Sequence, residues 1–228
     1  MGTVRSSVKA VVFDAYGTLF DVHALRNELD AHFPGQGGAL SMLWRDKQLE
    51  YTRLRTLSNQ YISFWEITHH ALRYAVAALG QSLSADLEAQ LMHIYARLPA
   101  YPEVSSTLAR LRAAGLPLAI LSNGNASMLQ TVVQSAGLQG YFDHLLSVET
   151  VKRFKTDPQA YQLGPDAFGC AAHDMIFVSS NGWDAAGATW FGYRAFWVNR
   201  AGLPPEELGV VPMATGTSLA DLTTFLGV

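Results

Sequence analysis

The sequence predicts an α/β fold in which a doubly wound parallel sheet carries an inserted block of helices. Three observations support this. Short apolar runs rich in β-branched or aromatic residues, such as VVF at 11–13 and MIFVS at 175–179, read as strands buried on both faces. Beyond residue 98 such runs alternate with amphipathic stretches, the rhythm of parallel strands joined by crossover helices. From about Val22 to Arg97 the pattern is helical, with almost no strand signal.

The elements follow in order. Val11, Val12 and Phe13 form the first strand, which ends at Asp14 before Gly17 and Thr18, residues suited to a turn. In the helical block, ALSMLWRDKQLEYTRLR sets Leu40, Leu43, Trp44 and Leu54 at helical spacings. FWEITHHALRYAVAALG closes on Gly80, and SADLEAQLMHIYARL opens with Ser84 as its N-cap. Pro99 and Pro102 punctuate the end of the block. VSSTLARLRAAG is then a helix ending at Gly115, LPLAILS a strand, ASMLQTVVQSAG a helix and HLLSV a strand. DPQAYQLGPDAFG is helical with Pro158 near its start, and Gly164-Pro165 should kink or split it. MIFVS and RAFWVN are further strands, with DAAGATWFG between them. Residues 1–20 and 99–228 are therefore expected to form a Rossmann-like core, and residues 21–98 a helical cap.

Composition narrows the function. Of 228 residues, 49% are hydrophobic, enough for a sizeable core and against disorder. A net charge of −3 provides no basic excess for nucleic acid. The single cysteine, Cys170, excludes an internal disulfide framework and a multi-cysteine metal site, and reads as a small packing hydrophobe. MGTVRSS lacks an apolar signal region, Met1-Gly2 is a weak acylation signal, and no apolar run approaches membrane-spanning length. A cytoplasmic protein is expected.

Chemistry is expected at the strand ends, where open α/β sheets bind ligands. The first strand contributes Asp14 and Thr18, and AILSNGN contributes Ser122 and Asn123. Lys155 precedes DPQAY, and IFVSSNGWD contributes Ser179, Ser180, Asn181 and Asp184. Singly, each has an ordinary explanation: a serine or asparagine after a strand caps a helix or a turn, and a lysine is solvated. Their convergence on one crevice is less ordinary.

FDAYGTLFDV, LSNGN, Lys155 and SSNGWD resemble, in order, the four motifs of the haloacid dehalogenase superfamily. With LWRDKQLEYT in the helical block and FGYRAFWVNR near the end, the chain is similar over nearly its whole length to the L-2-haloacid dehalogenases. The resemblance implies hydrolysis of short L-2-haloalkanoic acids to D-2-hydroxy acids through an ester on Asp14. Phosphatases of the superfamily carry a second aspartate where this chain has Tyr16, and their fourth motif, commonly GDxxxD, opens with Gly-Asp where this chain has Ser179-Ser180, which leaves Asp184 as the remaining acid. A halide leaves without a proton and a carboxylate attacks carbon without a metal, so no cofactor or metal is expected.

The resemblance also implies roles. Lys155 favours the ionised form of Asp14 and, with Ser122, faces the substrate carboxylate. Thr18, Ser179 and Asn181 orient Asp14, leaving one oxygen aimed at the substrate carbon. Arg45 receives the halide with Asn123 and Trp183, a guanidinium suiting a large, weakly hydrated anion. Asp184 positions or activates the water that cleaves the ester. Tyr16, Leu49, Phe64 and Trp183 enclose the site, although Leu49 and Phe64 also fit a plain helical core.

The chain departs from the family at Asp46, where glutamine is usual, and at Lys155-Thr156, where Lys-Pro is usual. Lys152 and Arg153 lie close enough to compete with Lys155 for its role, and Tyr161 is placed to reach the site. The histidines, His69-His70 included, read as surface or packing residues. A homodimer is expected. The rival readings are a metal-dependent phosphatase on the same fold and a catalytically idle relative acting through binding.

Overall fold

The structure is a computed structural model and describes residues 8–228, so the Met1-Gly2 signal lies outside the described residues. Among the described residues six strands form one parallel sheet: β1 (Ala10–Phe13), β2 (Leu118–Ser122), β3 (His144–Ser147), β4 (Met175–Ser179), β5 (Arg194–Val198) and β6 (Ala214–Gly216). Their order is β3-β2-β1-β4-β5-β6. The chain winds one way from β1 through β2 to β3 and the other from β4 to β6. The reversal opens a crevice at the carboxyl ends of β1 and β4. Every residue of β1, β2 and β4 is buried, as their apolar runs require.

Between residues 21 and 98 the chain forms four helices: α1 (Arg26–His32), α2 (Gly37–Leu57), α3 (Phe64–Ala78) and α4 (Ala85–Tyr95). A capping box between Ser63 and Glu66 starts α3, and the Ser84 hydroxyl accepts from the Leu87 amide to start α4. Leu40 and Trp44 are buried, whereas Leu54 is 52% exposed near the end of α2. The segments entering and leaving this block run side by side. The Asp21 amide donates to Pro99, the Tyr101 amide donates to Leu19, and Phe20 bridges Ala100 antiparallel.

The later helices are α5 (Val104–Ala113), α6 (Ala126–Ser135), α7 (Pro158–Phe168), α8 (Gly182–Phe191) and α9 (Ala220–Leu226). The helix is not split at Gly164-Pro165: α7 runs unbroken from Pro158 to Phe168. Pro165 cannot donate to the carbonyl of Tyr161, four residues earlier. The Tyr193 hydroxyl donates to that carbonyl instead, at 2.7 Å. It reaches there because residue 164 is glycine; a Cβ would lie 2.1 Å from the Tyr193 oxygen. The sequence reading also passes over β6 and α9. β6 is three residues long at the sheet edge, too short to show a period, while α9 covers the edge with buried Leu222 and Leu226.

Among the described residues no helix is long and apolar enough to cross a membrane.

Candidate active site

The crevice is built around Asp14, one residue past β1 and 6% exposed. Its Oδ2 accepts from the Thr18 hydroxyl and the Asn181 side-chain amide, both at 2.9 Å, with the Ser179 hydroxyl farther off at 3.5 Å. These donors are themselves held. The Ser180 amide donates to the Thr18 oxygen, and the Asn181 amide to the Ser179 oxygen. Asn181 is the N-cap residue of α8, so the junction of β4 and α8 grips the carboxylate. Neither oxygen of Asp14 is free of contacts, but among the described residues Oδ1 has a single one, Lys155, which leaves it a lone pair.

Of the three neighbouring cations, Lys155 is the one beside the carboxylates. Its Nζ lies 3.0 Å from Asp14 Oδ1 and 2.9 Å from Asp184 Oδ2, whereas Lys152 is exposed and Arg153 donates to the Thr56 carbonyl. The Lys155 backbone amide donates to Asn123 Oδ1, tying this loop to the end of β2, and the Lys155-Thr156 peptide is cis. Burial works against the ammonium, but Asp14 and Asp184 outweigh it and hold Lys155 above the ordinary lysine value. An ammonium has three N–H groups, so one remains beyond those given to the two aspartates.

Asp184 is fully buried in the first turn of α8. Burial pushes its carboxyl up; Lys155 pulls it down and Asp14 adds to the rise. Its Oδ1 accepts from the Tyr161 hydroxyl at 2.7 Å. Tyr161 comes this close because residue 187 is glycine: a Cβ there would lie 2.5 Å from the hydroxyl.

Arg45 reaches over the site from α2. One guanidinium nitrogen donates to the Tyr16 carbonyl at 3.3 Å and another to Gln48 Oε1 at 2.7 Å. Asp46 is exposed and does not join them. Tyr16 is buried against Phe64, ring centroids 6.0 Å apart, and stacks on Tyr95 at 5.6 Å. Burial also raises its hydroxyl well above the usual tyrosine value. The Ser122 oxygen is buried and accepts from the Gly124 amide. Trp183 is half-buried under the guanidinium of Arg53, at 5.3 Å, and Leu49 is half-buried on α2.

Asp14, Thr18, Lys155, Ser179, Asn181 and Asp184 thus form one hydrogen-bonded cluster, with Arg45 and Tyr16 above it. Asn123 is joined through the backbone of Lys155, and Trp183 lies beside Arg53. Sequence reasoning missed Gln48, although its spacing of three from Arg45 on a helix places the two side by side. It also missed Arg200, which donates to the Thr18 carbonyl at 3.1 Å, pairs with Glu103 and stacks on Tyr101. No short-range signal marks Arg200, because its partners are far away in sequence.

Among the described residues no three histidine, cysteine or acidic side chains gather in a way that could hold a metal ion. The ammonium of Lys155 lies between Asp14 and Asp184.

Residues 8–192 match the sequence profile of a family described as haloacid dehalogenase-like hydrolase. The chain is 47% identical, over 93% of its length and 91% of the relative's, to an (S)-2-haloacid dehalogenase of Pseudomonas sp. (strain YL). It is 44% identical, over 90% of its length and 92% of the relative's, to haloacetate dehalogenase H-2 of Moraxella sp. (strain B). A crystal structure of an L-2-haloacid dehalogenase, 53% identical, superposes with a TM-score of 0.95 over 97% of this chain and 99% of that one. The L-2-haloacid dehalogenase of Xanthobacter autotrophicus, solved with chloropropionic acid covalently bound, is 36% identical with a TM-score of 0.90, over 96% of this chain and 98% of that one.

Proposed function

The chain belongs to the haloacid dehalogenase-like hydrolases and, among them, to the L-2-haloacid dehalogenases, and on that premise we propose that it hydrolyses short L-2-haloalkanoic acids to D-2-hydroxyalkanoic acids through an ester on Asp14. The observation that carries this reading is the Lys155 ammonium between two buried carboxylates, with an N–H left over for a third.

The substrate carboxylate takes that N–H, with the Ser122 hydroxyl beside it. Thr18, Asn181 and Ser179 hold Oδ2 of Asp14 and leave the Oδ1 lone pair to attack the α-carbon from behind the halogen. The carbon–halogen bond breaks with its electron pair on the halide, which departs toward Arg45, with Asn123 and Trp183 nearby. No proton is needed, so Tyr16 costs the reaction nothing where a phosphatase would carry an acid. With Phe64 and Leu49 it walls the crevice and excludes bulk water. Water then attacks the carboxyl carbon of Asp14. Asp184, held by Lys155 and Tyr161, orients that water and takes its proton. The bond between the Asp14 carboxyl carbon and the product oxygen then breaks, the departing oxygen takes the proton back from Asp184 as the product hydroxyl, and Asp14 returns to its carboxylate as the second proton of the water passes to solvent. The α-carbon inverts once.

In this reading residues 21–98 form a cap over a core made of 1–20 and 99–228. The pairing of Asp21 with Pro99 and of Leu19 with Tyr101 supports placing the boundary there. A homodimer is part of the proposal, supported by exposed Met42, Leu54, Leu57 and Tyr74 on α2 and α3, and light scattering tests it. So is a cytoplasmic location, supported by the lone cysteine.

The decisive experiment is a single turnover of L-2-chloropropionate with enzyme in excess, in water enriched in heavy oxygen. The label should enter Asp14, while D-lactate receives the enzyme's former oxygen. Labelled lactate with an unlabelled Asp14 peptide would mean direct attack by water, with Asp14 as a general base.

A further inference from the structure

Behind Arg45 lies a buried chain of hydrogen bonds with a fixed direction. The Thr68 hydroxyl donates to the Phe64 carbonyl at 2.7 Å, so toward Gln48 it can only accept. The Gln48 side-chain amide nitrogen fills that role, at 2.7 Å from the Thr68 oxygen, and also approaches the Tyr95 hydroxyl at 3.0 Å. Its nitrogen thus committed to Thr68, Gln48 presents its oxygen to the Arg45 guanidinium at 2.7 Å, and that oxygen also accepts from the Tyr95 hydroxyl at 3.3 Å. Gln48 is 1% exposed, Thr68 is fully buried and Tyr95 is 4% exposed, so water does not compete for these bonds.

We propose that Gln48 is the positioning residue for Arg45, a neutral acceptor locked in one orientation by Thr68 and bridged by the Tyr95 hydroxyl. It aims the guanidinium at the crevice without neutralising it. The proposal rests on the reading of Arg45 as the group that receives the halide. A carboxylate at position 48 would hold Arg45 equally well but cancel the charge the halide needs. The same chain fixes Phe64, a wall of the site, to the arginine above it.

The test is inhibition of lactate formation from L-2-chloropropionate by added bromide, at constant ionic strength, in Gln48→Glu, Thr68→Val and Arg45→Lys. Gln48→Glu should weaken bromide inhibition about tenfold, the effect of losing one charge-assisted contact. Thr68→Val, which touches neither Arg45 nor the crevice, should weaken it roughly threefold by freeing the amide to turn over. A purely structural role would lower the melting temperature and leave bromide inhibition alone. The proposal is overturned if Gln48→Glu and Thr68→Val both stay within about twofold of the parent protein while Arg45→Lys weakens inhibition. If Arg45→Lys also leaves inhibition unchanged, Arg45 is not the halide receiver, and the proposal falls with that reading.

Discussion

The Nζ of Lys155 lies 3.0 Å from Oδ1 of Asp14, and both side chains are buried although 140 residues separate them along the chain. A single cation here does two jobs. It makes burial of Asp14 and Asp184 tolerable and, in the proposed mechanism, gives its remaining donor to the substrate carboxylate. An isolated ionised group in this position would be costly; the arrangement is stable only as a unit.

Lys155→Ala should therefore lower kcat/KM by about a hundredfold or more, about 3 kcal/mol of lost stabilisation in a water-excluded site. Lys152→Ala, three residues away and exposed, should stay near the parent rate. Steady-state kinetics of both variants check this, and the reverse result would put the catalytic cation in the wrong register.

The pH profile should carry the marks of Asp184 and Lys155. Asp184 acts as a carboxylate, and burial raises it above the ordinary 3.8, so activity should fall on acidification at a higher pH than for an exposed aspartate. Tyr161→Phe removes a bond that favours the ionised form and should move this acid limb higher still, slowing ester hydrolysis by about tenfold. Lys155 is raised, so the stability it contributes is fully present below the ordinary 10.5 and is lost as pH rises through its raised value. Rate profiles and melting curves against pH test each limb. An acid limb unmoved by Tyr161→Phe would assign it to another group.

Gly164→Ala should destabilise the protein by about 1–3 kcal/mol, because the added methyl collides with the Tyr193 hydroxyl. Tyr193→Phe removes the donor that replaces the missing amide of Pro165 and should cost about 1–3 kcal/mol for the same carbonyl left unpaired. Denaturant unfolding measures both. If the two effects arise from one contact, the double variant should be far less destabilised than their sum.

Much of the chain was legible in its residues. The apolar runs fixed β1, β2 and β4, since a strand covered on both faces has no polar side to blur its pattern. Asp14, Thr18, Asn181 and Asp184 could be placed at the strand ends, because sequence position dictates which edge of a parallel sheet they occupy. β6 and α9 were not legible: three edge residues carry no period, and the helix is recognisable only by what it covers. That Gly164-Pro165 would not split α7 was not legible either, because the rule for proline concerns a carbonyl left without a donor, and the donor, Tyr193, arrives from another element. The same reason hides Gln48 and Arg200. Local sequence sets backbone conformation and which side chains a strand end presents. Only the tertiary structure decides which distant partner completes a buried hydrogen bond, because desolvation makes each polar atom's partner a property of everything packed around it.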